Sequence, residues 1–311
     1  MRKYAFGVDI GGTTEKMGLF TTGGELLEKW EIPTDTSENG AHILGDIAKA
    51  IESKMQEKGI EKGQISGIGM GVPGPVDEDG VVHKCVNLGW GVFNIEETMS
   101  QMTGLPCKAG NDANVAALGE MYRGGGAGSK NMVMITLGTG VGGGIIVNGK
   151  ILAGCNGAAG EVGHFTVNED EPETCGCGKH GCLEQYASAR GIANMAKKKL
   201  AVTTEESVLR KCQDVTAKDI FDGAKAGDDF SLSLVDELGK MIGKACSYIA
   251  CVTNPEVFVV GGGVSKAGTI LTDVIRKHFR EYAFHASRET PFVLATLGND
   301  AGIYGGVKMV L

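Results

Sequence analysis

FGVDIGGTTEKMGLF, residues 6–20, and VMITLGTGVGGGIIV, residues 133–147, have the same layout. Each is an apolar run, a glycine–threonine turn and a second apolar run, which reads as strand, turn, strand. The two lie about half a chain apart, and a repeat on that scale predicts two similar lobes. The turns also have a chemical use. Glycine lacks a Cβ, so backbone N–H groups can approach a phosphate closely, and threonine adds a hydroxyl donor. One copy alone is more often a plain tight hairpin. Two copies flanked by Asp9 and Thr136 favour phosphate, with Gly11, Gly12, Thr13 and Thr14 in the first turn and Gly138, Thr139 and Gly140 in the second.

Around these hairpins, short runs rich in valine and isoleucine alternate with helical patterns, the signature of an α/β fold. Ile43, Ile47, Ile51 and Met55 repeat every fourth residue, so the spacing predicts an amphipathic helix over 41–58 with its stripe against a sheet. Leu234, Leu238, Ile242, Ala245 and Ile249 form a second stripe that stops at Pro255, after which EVFVVGGG reads as a buried strand entering a glycine turn. Leu271, Ile275 and Phe279 mark a third helix. Other nucleotide motifs fail. No G-x-x-x-x-G-K-[ST] occurs, and the two G-x-G-x-x-G matches, at Gly69 and Gly138, do not open a helix that could face a pyrophosphate.

Composition narrows the setting. At 311 residues with 42% apolar content, the chain is long enough for two domains with full cores. A net charge of −8 repels nucleic-acid phosphates, and the KKK run at 197–199 reads as a solvated helix face. The N-terminal apolar stretch is broken by Asp9, and the longest apolar tract is cut by glycines and threonines, so neither a signal peptide nor a membrane span is expected. These features predict a cytoplasmic protein. Its nine cysteines, odd in number and unevenly spaced, argue for metal or buried thiols over a disulfide framework. Cys85, Cys107, Cys155, Cys212, Cys246 and Cys251 read as ordinary core or surface residues.

Two further stretches carry chemistry. In GNDANVAALGEMYRGG, residues 110–125, Asn111 and Asp112 precede an alanine-rich helical segment. Asp112 there is either a helix cap or a general base for an alcohol nucleophile, and the residues alone leave both open. In GAAGEVGHFTVNEDEPETCGCGKHGCLE, residues 157–184, His164, Cys175, Cys177 and Cys182 supply one imidazole and three thiolates, a set suited to tetrahedral Zn²⁺. Four protein ligands leave no open position, so such a zinc is structural. Glu161 and Glu184 flank the cluster as unpaired acceptors, suited to the vicinal hydroxyls of a sugar if they face a cleft and otherwise solvated surface glutamates.

Taken together, DIGGT (9–13), LGTGVGGG (137–144), GEVGH (160–164), CGCGKHGCLE (175–184) and VGGGVS (260–265) occur in an order that resembles the zinc-containing sugar kinases of the ROK family, most of all its glucose-phosphorylating branch. The resemblance spans essentially the whole chain. It implies two actin-like α/β lobes of the ribonuclease H-like, hexokinase/actin ATPase type around a cleft. The small lobe would comprise residues 1–111 plus 299–311, and the large lobe 112–298 with a zinc knot at 164–182. It implies ATP-dependent phosphorylation of glucose at the 6-hydroxyl, with Asp112 as base and Asn111, Asp112, Glu161, His164 and Glu184 holding the sugar. Asp9 would lie near the Mg²⁺ of ATP, and Gly262 and Gly263 on the adenosine side. His164 would ligate zinc through one ring nitrogen and offer the other to the sugar. A homodimer or dimer of dimers is expected. N-Acetylmannosamine or fructose are the competing substrates, and a non-catalytic sugar sensor or repressor is the competing class. Repressors of the family carry an added N-terminal DNA-binding domain, for which a first strand starting near Tyr4 leaves no room. The chain departs from the pattern in two places. Thr14 stands where many members carry lysine, with Lys16 two places later, and Gly110 replaces an acidic residue.

Overall fold

The first hairpin joins β1 (Tyr4–Ile10) to β2 (Thr14–Thr21) in antiparallel register, with Asp9 opposite Lys16 and Ile10 opposite Glu15. This is a computed structural model, and it describes residues 2–311. The chain continues through β3 (Leu26–Pro33), α1 (Ile43–Lys58), β4 (Ile65–Val72), the short strands β5 (Val81–Val82) and β6 (Phe93–Asn94), α2 (Ile95–Thr103), β7 (Cys107–Asn111) and α3 (Asp112–Arg123). Then come β8 (Met132–Leu137), β9 (Val141–Val147), β10 (Lys150–Ile151), α4 (Glu184–Ala187), α5 (Ala189–Val202), α6 (Ala217–Lys225) and α7 (Asp229–Thr253). The last elements are β11 (Val257–Gly261), α8 (Thr269–Tyr282), β12 (Phe292–Leu294) and α9 (Ala301–Val310). Two sheets have five strands, in the orders β3-β2-β1-β4-β7 and β10-β9-β8-β11-β12, and β5 pairs with β6 in a two-stranded one.

The chain divides into two compact units: one runs to Lys130 and adds Gly144–Gly160 and Leu297–Leu311, the other holds Asn131–Gly143 and Glu161–Thr296. In the first unit, strand alternation sends side chains to two faces. Phe6, Val8, Ile10, Met17 and Leu19 join Ile43, Ile47 and Ile51 of α1 in one core, so the predicted stripe is the buried one. Each such side chain contributes about 1.5–3 kcal/mol by leaving water, and Ile47→Ala would cost about 2–5 kcal/mol. Gly59, in the left-handed region at φ 63°, closes α1. On the opposite face, Ala5 and Phe20 meet Ile303 and Val307 of α9. The approach of α9 is too close for side chains: a methyl at Gly7 would strike the Ile303 carbonyl, and one at Gly69 the Gly306 carbonyl. Gly69 is therefore part of a packing seam between β4 and α9.

α3 belongs to this first unit, although the sequence boundary at 111/112 assigns it to the large lobe. The cause is again a glycine contact, because Gly119 of α3 lies against the Ala301 carbonyl and Gly305 against that of Val115. In the second unit, β11 runs parallel between β8 and β12. α7 ends at Asn254, in the left-handed region at φ 42°, one residue before Pro255. Phe258, Phe279 and Phe292 pack ring against ring beneath α8, with centroids 4.8–5.6 Å apart.

One residue breaks the inward pattern of β2. Glu15 occupies a core-facing position, is 0% exposed, and neither carboxylate oxygen has a hydrogen-bond partner among the described residues. Burial pushes its carboxyl up to about 8, and the negative charge of Asp46 adds to the effect. It is therefore a neutral acid at pH 7.

Candidate active site

In the first unit the site forms where β1, β4 and β7 end. Asn111 is the last residue of β7 and caps α3, its Oδ1 accepting from the N–H groups of Ala113 (3.0 Å) and Asn114 (3.2 Å). Capping therefore falls to Asn111, the neighbour of Asp112. Asp112 Oδ1 accepts from Ala113 N–H at 2.8 Å and from Asn111 Nδ2 at 3.0 Å. Asn111 Nδ2 also reaches the Gly74 carbonyl at 3.3 Å, which fixes the pair to the loop after β4. A carboxylate held by N–H donors keeps one orientation and is favoured in its charged, accepting form.

Asp9 stands beside it. The register places Asp9 opposite Gly71 and Gly71 opposite Gly110. A methyl at Gly71 would lie 3.5 Å from Asp9 Oδ1 and 3.6 Å from the Cα of Asp112, so this one glycine borders both acidic residues. Gly302 of α9 touches the Asp9 carboxylate from the other side. Burial pushes Asp9 up to about 6, Lys16 opposes the shift, and the charge of Asp112 adds to it. Gly12, Thr13 and Thr14 are exposed in the turn above, closed by Gly11 N–H to Thr14 carbonyl at 3.0 Å.

The second unit gathers the remaining predicted residues. The turn of Gly138, Thr139 and Gly140 closes by Gly138 N–H to Gly140 carbonyl at 2.9 Å, and the N–H of Ala189, the first residue of α5, reaches the Gly138 carbonyl at 2.8 Å. Thr136 pairs in register with Gly261, and Gly262, at φ 85°, turns against the backbone of Leu137 with no room for a side chain. Gly263 follows it into a single helical turn.

Four donor atoms of His164, Cys175, Cys177 and Cys182 all lie within 4.8 Å of one another. Cys177 Sγ and Cys182 Sγ are 3.6 Å apart, and Cys175 Sγ is 3.9 Å from His164 Nδ1. Ligands about 2.3 Å from one tetrahedral ion are spaced by roughly 3.8 Å, so the set fits a closed Zn²⁺ site. The thiol chemistry agrees. Burial pushes Cys182 up to about 12, with Cys177 and Cys175 adding, whereas the Lys179 backbone N–H holds Cys177 below the usual thiol range. Thiols packed this way become thiolates together only around a cation. Gly181, at φ 68° against the Asn168 carbonyl, gives the turn that brings in Cys182. The other six cysteines carry no such grouping: Cys85, Cys107 and Cys246 are buried, Cys212 is half-buried, and Cys155 and Cys251 are exposed.

The glutamates differ from their sequence reading. Glu184 is not unpaired: its Oε2 accepts from Val141 N–H at 3.0 Å, and its Oε1 lies 4.0 Å from Cys175 Sγ. Glu161 is exposed, 3.8 Å from His164 Nε2. The imidazole thus turns Nδ1 to the thiols and Nε2 to a carboxylate. Gly163 packs on the Val141 carbonyl, so Val141, the residue after the second turn, anchors both segments that carry the glutamates.

Sequence reading missed one feature. A cavity of about 680 Å³ lies between α5, α6 and the Gly263 turn, with Ala193, Phe221, Val264 and Ala267 in its wall. Its residues are spread over some eighty positions, and only VGGGVS pointed towards it.

A sequence profile described as ROK family matches residues 5–311. The chain is 48% identical to a protein named glucokinase from Halalkalibacterium halodurans, over 99% of this chain and 95% of that one. Among solved structures, a ROK hexokinase from Thermus thermophilus superposes with TM-score 0.81 at 31% identity, covering 98% of this chain and 97% of that one. A ROK family glucokinase from Streptomyces griseus in complex with glucose and AMPPNP superposes with TM-score 0.73 at 34% identity, covering 98% of each chain.

Proposed function

The chain belongs to the ROK family, and from that premise we propose that it transfers the γ-phosphoryl group of ATP to the 6-hydroxyl of glucose. Its two α/β units have the actin-like ATPase fold of the hexokinases it resembles. The observation that carries the chemical assignment is the division of labour at α3: Asn111 caps the helix, and Asp112 is held as an acceptor beside Asp9. As the 6-oxygen bonds to the γ-phosphorus, its proton passes to the Asp112 carboxylate, the bond from phosphorus to the bridging β,γ-oxygen breaks, and ADP leaves. Glu161, His164 and Glu184 accept from or donate to sugar hydroxyls, with Asn111 beside the base. The turns at Gly11–Thr14 and Gly138–Gly140 donate N–H groups to phosphate oxygens, Thr136 supports the second turn, and Gly262 and Gly263 border the nucleoside. Asp9 is the residue placed to hold Mg²⁺, which when bound neutralises charge on the phosphates. The apolar cavity between α5 and α6 suits a nucleoside and would serve no purpose for a bare polyphosphate donor.

Zinc is the metal assigned to His164, Cys175, Cys177 and Cys182, in a structural role. No helix among the described residues is long and apolar enough to cross a membrane, and we place the enzyme in the cytoplasm, with no nucleic-acid partner. A homodimer, alone or paired, is part of the proposal: Tyr248 and Val252 expose 51% and 86% of their surface on α7. A coupled assay with ATP over glucose, mannose, fructose, N-acetylmannosamine and N-acetylglucosamine tests the reading. Glucose should give the highest kcat/KM. A tenfold preference for an N-acetylated sugar overturns the substrate, and no turnover on any hexose overturns the kinase.

A further inference from the structure

Beside the 680 Å³ cavity lies a second of about 500 Å³, whose wall includes Thr139 of the second turn and Glu184. Arg190 and Asn194, one helical turn apart on α5, line both. A molecule reaching from the apolar pocket to the turn at Thr139 therefore passes these two side chains.

The charges around the two cavities are not equivalent. On the second wall, Lys198 pairs with Glu171 and Glu173, and Lys199 with Glu237. On the first wall, Lys197 pairs with Asp214 and Lys218 with Asp222. Lys225 and Lys266 border the first cavity alone. No acid pairs with Arg190 among the described residues, and its guanidinium is the one cation common to both walls. An uncompensated guanidinium between a nucleoside-sized pocket and a glycine–threonine turn matches the position of a phosphate chain. Its planar fork suits two phosphate oxygens at once. At the first turn Thr14 stands where a lysine would serve, and the amine of Lys16 lies 3.4 Å from the Asn299 carbonyl and lowers the pKa of Asp9.

We propose that Arg190 binds the phosphate chain of the nucleotide donor and, with Asn194, sets the preference for a triphosphate over shorter nucleotides. The assignment rests on the nucleotide-kinase reading above and adds to it a contact that none of the sequence motifs contains.

The test is a binding ladder. Adenosine, AMP, ADP and ATP are titrated by calorimetry into the parent and into Arg190→Ala, Arg190→Lys and Arg190→Gln, with unfolding temperatures measured alongside. In Arg190→Ala, adenosine should bind within about twofold of the parent, while ATP weakens by about 10–100-fold, the range of a lost charge-assisted contact. Lysine should restore part of the ATP affinity and glutamine none, and KM for ATP should rise while KM for glucose does not. An equal loss for adenosine and ATP would make Arg190 a wall of the nucleoside pocket, and an unchanged ATP affinity would remove it from the site; either overturns the proposal. If Arg190→Ala does not fold, the lysine and glutamine variants decide by the same ladder. Binding needs no turnover, so a parent that binds the series but phosphorylates no hexose defeats the kinase reading alone. A parent that binds neither adenosine nor ATP defeats both.

Discussion

The two glycine–threonine turns share a sequence layout and differ in how they close and in what packs against them. The turn after β1 closes by Gly11 N–H to Thr14 carbonyl at 3.0 Å, and the turn after β8 by Gly138 N–H to Gly140 carbonyl at 2.9 Å. Under the first lie two acids, Asp9 and Asp112, with α9 touching Asp9 through Gly302. Against the second lies Glu184, close enough that a methyl at Gly140 would strike its carboxylate, while the next residue, Val141, donates its N–H to Glu184 and has Gly163 packed against its carbonyl. In the reaction proposed above, the first turn serves proton and cation chemistry, and the second adjoins the metal cluster and the glutamates assigned to the sugar. The motif is repeated, but its neighbours are not.

The largest effect should come from the acids under the first turn. Asp112→Asn keeps the hydrogen-bonding shape but cannot take a proton, so kcat should fall by about 10²–10⁴ with glucose affinity retained by calorimetry. Near-normal turnover would falsify the base assignment. On the second turn the matching break is remote from the reaction. Cys177→Ala removes one of four metal donors, so bound zinc, read by metal analysis, should drop from one per chain to almost none. Glucose binding should weaken about 10–100-fold, and adenosine binding much less. A zinc-free variant with normal glucose affinity would separate the cluster from sugar recognition.

Two pH experiments sharpen the contrast. Asp9 titrates near 6 in the folded chain against 3.8 when free, so its carboxylate is lost as pH falls through about 6. At low Mg²⁺, kcat/KM for ATP should decline about tenfold per unit below that point, and Asp9→Asn should be slow but flat over the same range. The smallest effect on turnover concerns Glu15. A free glutamate titrates at 4.5 and this one near 8, so between those values folding takes up a proton and stability falls as pH rises. The penalty is absent below about 4.5 and complete above about 8. Thermal unfolding from pH 5 to 9 should show a decline of a few kcal/mol in the parent, and Glu15→Gln should flatten it. A parent curve without that slope would mean that Glu15 ionises as readily in the folded chain as in the unfolded one.

Much of this architecture was readable from spacing. The stripe of Ile43, Ile47 and Ile51, the stop at Pro255 and the four metal donors depend on local order, and local order is what a sequence records. Glu184 shows where such reading ends. Its partner is Val141, forty-three positions away, and nothing near CLE reports that contact. The cap at α3 was ambiguous for a different reason: Asn111 and Asp112 are both good caps, and only backbone geometry assigns one. Glu15 was passed over because it stands one residue from a chemical motif, where an acid raises no question, although its position on β2 faces inward. The cavity bordered by Arg190 is assembled from α5, α6 and the Gly263 turn, and no periodicity marks a wall built from three elements.

The close seat of α9 on β1, β4 and α3 also bears on synthesis. A ribosome delivers the first strand nearly three hundred residues before it delivers the helix that covers one face of it. Until residues 301–310 emerge, Ala5, Phe20 and the glycine seam at Gly7 and Gly69 have no cover, while the segment 161–296 already has the whole of its own sequence. The unit that starts first is finished last, so nascent chains stalled before Ala301 should engage chaperones through the β1–β4 face, and the order of folding should be the reverse of the order of translation.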